Sequence, residues 1–540
     1  MEGLMMDFEL TITGILEHAN RVFPRKEIIS ILPDKSRHQY TYGDLYSRCK
    51  KLCNALRRKL KVQKGDIIGT YAWNHYQHLE LYYAIPGAGA VCHTINIRLS
   101  ASQTEFIVNN AEDRFIFIDA SLVPFLEKIA SLLPTVESFI VLNAPDGFSC
   151  SLSNYLQYED LIKDETEDSA WEEVRETEAC AMCYTSGTTG LPKGVVYSHR
   201  ATCLHAIMIS LPNDAQISFH DRMLLAVPQF HVMAWGFPFA GMLAGAVIVL
   251  TSAHLQPEAL INIITEEKVN RASGVPTLWQ GIYTSLKMHT PKDFPLKEIF
   301  VGGVSASRNL IEKYNIDFNI KLVHAWGMTE TSPVGTLSRL QPEHYLLADN
   351  EKLDIIALQG QELPFIEIRI VSKGGMPAPR DGKTVGEIQI RGPWVIKAYF
   401  KSVNRDNFTD DGWFKTGDVG TINQEGYMHI TDREKDLIKS GGEWISSVAL
   451  EIAIMSHPLV KEASVIAIPD EKWTERPMAI VVFKDPKSAL TPDEFRAFLS
   501  GSFANYQLPD KYVYVAEIPK TSVGKFDKKE MRRLQAEGNL

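Results

Sequence analysis

Helical and strand-like apolar patterns alternate from about residue 10 to about residue 430, and this alternation restricts the fold more than any other feature. Leu45, Leu52, Leu56 and Leu60 recur at helical spacing, and Asp66-Ile-Ile-Gly-Thr-Tyr71 then reads as a strand. Strands are also expected at Arg114–Asp119, Ser138–Leu142 and Arg222–Pro228. Short apolar strands separated by amphipathic helices imply an α/β fold with buried parallel strands. The 361–390 segment differs: Ile366-Glu-Ile-Arg-Ile-Val371 and Gly386-Glu-Ile-Gln-Ile-Arg391 alternate apolar and polar residues around a Gly/Pro-rich connector. That pattern predicts a half-buried antiparallel hairpin or a small β-barrel-like part. After Asp432 the pattern changes again, to helices at Ser447–Ile454 and Pro492–Leu499 with strands near Ala463–Ile468 and Ala479–Phe483. The expected organisation is therefore a large N-terminal domain, 1–432, of parallel-sheet α/β subdomains, and a small α+β C-terminal domain, 433–540.

A formal net charge of -10 gives no electrostatic footprint for a nucleic acid, so no nucleic-acid partner is expected. Small anions remain possible ligands, because local Lys and Arg can hold them on an acidic protein. The N-terminal MEGLMMDFELTITGILEHANRVF lacks the layout of a secretory signal. The apolar stretch Ala234–Leu250 is too short for a bilayer span and is broken by Pro238 and glycines, so it reads as buried core. The expectation is a cytoplasmic protein without an integral membrane segment. Seven scattered cysteines read as reduced thiols, and the Cys180/Cys183 pair as the end of a strand rather than a metal or redox motif.

The densest chemistry lies in Tyr184-Thr-Ser-Gly-Thr-Thr-Gly-Leu-Pro-Lys-Gly-Val-Val196, with four small hydroxyl residues, three glycines and one lysine. Glycines let backbone approach phosphate oxygens, hydroxyls and amides donate to them, and Lys193 supplies charge. The spacing is not that of a Walker A loop. A flexible surface hairpin would explain the glycines, but not the hydroxyls together with the lysine.

This segment resembles the phosphate-binding loop of the adenylate-forming (AMP-binding) superfamily. Six further matches follow in that family's order: Pro228-Gln-Phe-His231, Val301-Gly-Gly-Val304, Trp326-Gly-Met-Thr-Glu-Thr331, Asp411-Gly-Trp-Phe-Lys-Thr-Gly-Asp418, Asp432–Glu443 and Pro519-Lys-Thr-Ser-Val-Gly-Lys525. The resemblance covers essentially the whole chain, and is nearest to bacterial and archaeal medium- and long-chain fatty-acyl-CoA synthetases in Phe230–Trp235 and Lys439–Ser447.

The resemblance implies ATP, Mg2+ and coenzyme A (CoA) as cofactors and co-substrates. Thr185, Ser186, Gly187, Thr188, Thr189, Gly190 and Lys193 would hold phosphates, with Gly302, Gly303, Trp326, Gly327 and Thr329 around the nucleotide. An aromatic face at Trp326 can stack on adenine. Most relatives have Tyr there, so the hydrogen bond of a tyrosine hydroxyl is expected to be lost. Glu330, with Thr185, would hold Mg2+, which favours hard oxygen ligands. Asp418 would grip the ribose hydroxyls and Arg433 would assist; by residue type alone both could be ordinary solvated charges. Gly302 and Gly303 would lie flat against adenine. His231 would sit near the acyl carboxylate, although a lone His is equally a packing residue.

Lys525 would be the catalytic lysine, carried by a mobile C-terminal domain that swings about a hinge at Lys435. In its second orientation that domain would present Lys439, Gly442 and Trp444 to CoA. Trp235, as a gate, and Val304 would line the acyl pocket. Between Pro228 and Leu250 only His231 can carry charge, which suits an aliphatic or aromatic acid. The expected activity is fatty-acid–CoA ligation. An aryl-acid ligase of coumarate or benzoate type is the alternative, another use of the adenylate a third, and a non-enzymatic nucleotide-binding module is disfavoured by the intact motifs. The same resemblance implies a homodimer, and peripheral membrane contact stays open because long-chain substrates reside in bilayers.

Overall fold

The computed structural model describes residues 1, 3–185, 191–372, 374–440, 443–521 and 524–540, the side chains of Glu443 and Trp444 excepted. The expected assignments at Ser186, Gly187, Thr188, Thr189, Gly190 and Gly442 lie outside the described residues.

Two large sheets carry the α/β part. One has seven strands in the order Tyr155–Gln157, Ser138–Leu142, Phe115–Asp119, Ile67–Tyr71, Val91–Thr94, Ala179–Tyr184 and Gly194–Ser198. All neighbours are parallel except the last pair, which is antiparallel. Central strands such as Phe115–Asp119 are buried along their whole length, which explains why their sequence is continuously apolar. The other sheet has nine strands, from Gln361–Glu362 at one edge to Arg37–Thr41 at the other. Its parallel centre includes Lys321–Gly327, Glu298–Val301, Arg271–Gly274, Arg222–Leu225 and Val247–Leu250. The early strand Glu27–Ile31 adds to Val247–Leu250, some two hundred residues away in sequence. The Ala234–Leu250 stretch forms the buried helix Phe237–Ala244 and this strand.

The expected hairpin, Glu367–Val371 with Gly386–Arg391, is present and extends through Phe414–Ile422 and Met428–Arg433 into a four-stranded antiparallel sheet. A smaller α+β unit follows. Its strands Val460–Asp470 and Thr474–Phe483 pair antiparallel and pack on the helices Ser447–Met455 and Pro492–Leu499 around Ile454, Val465 and Phe495.

All seven cysteines are free. Burial pushes the Cys180 thiol up to about 12 and that of Cys183 up to about 11, so both are protonated near neutrality. Among the described residues no helix is long and apolar enough to cross a membrane.

Candidate active site

The base of the Gly/Thr-rich loop is closed by the chain itself. Thr185 N–H donates to the Lys193 carbonyl at 3.0 Å, and Lys193 N–H donates to Thr185 Oγ1 at 3.3 Å. This extends the antiparallel pair Ala179–Tyr184 and Gly194–Ser198 to the loop mouth. Lys193 Nζ stands 4.7 Å from the Tyr399 ring centre and donates to Asn407 Oδ1 at 3.3 Å. The Tyr399 hydroxyl donates to Glu330 Oε1 at 2.7 Å. One tyrosine thus spans the distance between the loop lysine and the buried acid.

Glu330 follows the strand Lys321–Gly327 and a tight turn at Thr329–Thr331. Gly327 has a local reason to be glycine, since a Cβ there would lie 2.0 Å from the Pro333 carbonyl oxygen. Burial raises the Glu330 carboxyl above its ordinary range, and among the described residues it forms no ion pair. Thr329 is buried, and its carbonyl accepts the Tyr197 hydroxyl at 2.8 Å.

Asp418 and Arg433 are register partners on neighbouring strands, which brings Arg433 Nε within 3.1 Å of Asp418 Oδ1. Asp418 Oδ2 accepts the Trp326 indole N–H at 2.9 Å. Trp326 has no phenol hydroxyl, but its indole makes a hydrogen bond of its own, to Asp418.

Gly302 and Gly303 cap the end of strand Glu298–Val301. A Cβ on Gly302 would come within 2.9 Å of the Ala325 carbonyl oxygen, and Gly303 has φ of 81°. Both glycines are thus required by the chain's own backbone. The Trp235 ring lies against them, 3.5 Å from the Gly302 Cβ position and 3.8 Å from that of Gly303. Val304 follows at the surface. Trp235 is presented by an uncommon backbone: Val232, Met233, Ala234 and Trp235 have φ of 47°, 51°, 49° and 59°, and Gly236 has 74°. A left-handed run costs non-glycine residues about 1–2 kcal/mol each, so tertiary contacts must hold it. Nearby, Asn74 Nδ2 donates to the Leu225 and Val227 carbonyls at 2.8 Å, and its Oδ1 accepts Gln229 N–H at 2.7 Å.

His231, with φ of -115°, immediately precedes this run. Burial, then the charges of Lys525 and Arg98, push its pKa down to about 3, so the ring is neutral at physiological pH. Lys525 sits in a tight turn in which Thr521 N–H donates to the Lys525 carbonyl at 2.7 Å and Lys525 N–H donates to Thr521 Oγ1 at 3.2 Å. Gly524, at φ of 80°, supplies the left-handed residue that this turn needs. Burial first, then Arg433 and Lys435, push the Lys525 ammonium down to about 8, while Asp418 and Glu330 pull the other way. Lys525 thus feels the charges of Asp418, Glu330 and Arg433, and His231 feels that of Lys525.

The Lys525 turn is anchored from the helix after it. Lys528 Nζ pairs with Glu451 at 2.8 Å, and Arg532 pairs with Asp436 at 2.5 Å. Asp432 accepts both N–H and Oγ–H of Ser447 at 2.6 Å, capping the helix Ser447–Met455. Of the residues assigned to CoA, Lys439 can be placed. Lys439 is an exposed residue of Ile438–Ser440, its N–H donating to Glu475, and among the described residues no hydrogen bond or ion pair joins it to the Lys525 cluster.

If Lys525 is the cationic catalyst that the family resemblance implies, it must be protonated to act, and activity is expected to fall as pH rises through about 8. The kcat/KM for ATP in the first half-reaction should fall about tenfold per pH unit above that value. Stopped-flow or pyrophosphate-release profiles from pH 6 to 10 check this. A flat profile to pH 10 would contradict the geometry, as would an acidic limb near 6.5 assigned to His231.

Arg98, Tyr399 and Asn74 were not legible as site residues. Arg98 lies in Asn-Ile-Arg-Leu and Tyr399 in Ile-Lys-Ala-Tyr-Phe, neither of which carries a pattern that sets it apart from ordinary loop residues.

Lys525, the buried acids Asp418 and Glu330, the closed base of the Thr185–Lys193 segment and the apolar wall at Trp235 are the described parts of the candidate site. Residues 16–400 match the AMP-binding enzyme family, and residues 449–525 match the AMP-binding enzyme C-terminal domain. The chain is 43% identical to a long-chain-fatty-acid–CoA ligase of Thermus thermophilus, over 98% of this chain and 96% of that one. It is 40% identical to a medium-chain-fatty-acid–CoA ligase of Ectopseudomonas oleovorans, over 98% and 97%. In fold it matches the crystal structure of an anthranilate CoA ligase in complex with anthranoyl-AMP, with TM-score 0.86 at 22% identity and full coverage of both chains. The chain belongs to the AMP-binding enzyme family.

Proposed function

We propose that the protein is an ATP-dependent, AMP-forming acyl-CoA ligase that activates a medium- or long-chain fatty acid. The observation that carries this reading is the match of residues 16–400 to the AMP-binding enzyme family, and the electrostatic influence that Asp418 and Glu330 exert on Lys525 is in keeping with it. In the first step a carboxylate oxygen attacks the α-phosphorus of ATP and pyrophosphate leaves. Lys525 is poised to neutralise the charge gathered between the two anions, a preorganised electrostatic contribution. Lys193 and Thr185 hold the departing phosphates, Thr329 binds a phosphoryl oxygen, and Asp418 with Arg433 receives the ribose. Gly302, Gly303, Trp326 and Gly327 shape the nucleotide side. Neutral His231 can donate or accept one hydrogen bond at the acyl carboxylate without adding charge.

Glu330 fits Mg2+ chemically: it is a buried, hard-oxygen donor with no ion pair among the described residues. Those residues hold no cluster of three or more His, Cys, Asp or Glu suited to a resident metal, so the fit is to an ion shared with ATP. Bound there with Thr185, Mg2+ would supply charge neutralisation on the phosphates.

In the second step the CoA thiolate attacks the acyl carbonyl and AMP leaves. We place the domain boundary at 432/433, with rotation near Lys435 bringing Lys439, Gly442 and Trp444 to CoA. The buried wall around Trp235, together with the substrates named for the Thermus and Ectopseudomonas relatives, favours an aliphatic chain. Val304 would stand at the pocket mouth. The same reading makes the protein a cytoplasmic homodimer with peripheral contact to membranes that supply long-chain substrates.

Pyrophosphate release measured across acids from acetate to oleate, plus benzoate and coumarate, with and without CoA, tests the reading. Release with medium or long fatty acids and acyl-CoA as product are expected. A preference for aromatic acids would move the assignment to an aryl-acid ligase, and release without acyl-CoA formation would overturn ligation.

A further inference from the structure

The carboxylate of Asp418 is held from two sides. Arg433 Nε reaches Oδ1 at 3.1 Å and the Trp326 indole N–H reaches Oδ2 at 2.9 Å, while the Asp418 N–H is fixed on Thr416 Oγ1 at 3.0 Å. Asp418 is 4% exposed and Trp326 7% exposed, so neither side chain is free to drift. The indole occupies space left by Gly335, where a Cβ would lie 2.9 Å and 3.1 Å from two of its ring carbons. The ring is therefore wedged, and its single N–H has one direction.

An indole N–H is a donor only, whereas a phenol both donates and accepts. Trp326 thus spends one lone pair of Oδ2 and cannot itself compete for a donor brought by a ligand. Each carboxylate oxygen keeps an unused lone pair, and the two are locked in one plane. That arrangement suits a pair of neighbouring hydroxyl groups, both donating to a single carboxylate.

We propose that Trp326 is a positioning residue for sugar recognition, its indole N–H fixing the plane of the Asp418 carboxylate so that both oxygens meet the vicinal diol of the nucleotide ribose. The inference rests on the reading of Asp418 as the ribose-binding acid of an ATP-dependent ligase. It goes beyond stacking on adenine, because it assigns the effect to the N–H rather than to the ring face.

The test replaces Trp326 in the full-length enzyme with 3-benzothienylalanine, which keeps the ring shape and removes the donor, and separately uses Trp326→Phe. The adenylation half-reaction is then followed with ATP, 2′-deoxy-ATP and 3′-deoxy-ATP. For the benzothienyl enzyme the KM for ATP should rise about tenfold, as for a lost hydrogen bond to a charged group, with the KM for either deoxynucleotide and the kcat for ATP changing less than about twofold. The preference for ATP over deoxy-ATP should shrink accordingly, and Trp326→Phe should do the same. An unchanged preference in the benzothienyl enzyme would overturn the proposal, as would equal losses for all three nucleotides, the pattern of disturbed packing. Asp418→Asn separates the layers. If it abolishes the preference while the benzothienyl enzyme keeps it, only the role of Trp326 falls. If Asp418→Asn itself keeps the preference, the ribose assignment falls and the proposal with it.

Discussion

Lys525→Ala slows acyl-adenylate formation by about a hundredfold to a thousandfold, the usual cost of removing one preorganised charge from a transition state that concentrates negative charge. The same variant is expected still to convert supplied acyl-AMP and CoA to acyl-CoA, because the proposed second step uses a different face of the C-terminal domain. The reason for expecting so large an effect is the setting of the lysine. Burial and the neighbouring Arg433 and Lys435 destabilise its charge in the free enzyme, while Asp418 and Glu330 only partly compensate. A cation held in that state gains strongly when two anionic substrates arrive. Single-turnover measurements of the two half-reactions check the outcome. Equal loss of both would argue for a general folding or docking role, and Lys525→Arg tests the same point, since it keeps charge but not the compact ammonium.

Glu330→Gln lowers adenylation by about a hundredfold, within the range found when one electrostatic contact to a reacting phosphoryl group is removed, and raises the Mg2+ concentration needed for half-maximal rate. Glutamine keeps the side-chain length and an oxygen that accepts the Tyr399 hydroxyl, so the hydrogen bond seen at 2.7 Å can persist. Only the negative charge is withdrawn. Tyr399→Phe is the companion measurement: it removes the hydroxyl but leaves the carboxylate and the ring under Lys193, and a loss of less than about tenfold is expected for one neutral hydrogen-bond donor. A Glu330→Gln enzyme with unaltered Mg2+ dependence would remove this residue from the metal assignment.

The amino-acid sequence on its own determined many local elements and pointed to a chemistry at its densest motif. Short apolar runs between helical patterns marked Phe115–Asp119 and Ser138–Leu142 as buried strands, periodicity marked the hairpin and the C-terminal helix Pro492–Leu499, and short length with Pro238 and glycines marked Ala234–Leu250 as buried core. Glycine, hydroxyl and lysine density likewise pointed to phosphate at Thr185–Lys193. Local pattern is legible because it depends on neighbours in sequence.

What only the tertiary structure decided was partnership across distance. Glu27–Ile31 joins Val247–Leu250 in one sheet, and no periodicity encodes which strand edge a distant strand will choose. Asp418 and Arg433 meet because a β-bulge near Val419 and the register of two antiparallel strands place them opposite each other. Tyr399 links Lys193 to Glu330, and Arg98 adds charge beside His231, although neither is marked by composition. Trp326 is the sharpest case. Its identity supplied an indole N–H, but which acceptor that donor meets depends on where it points, and the space at Gly335 with the strand bearing Asp418 set that direction.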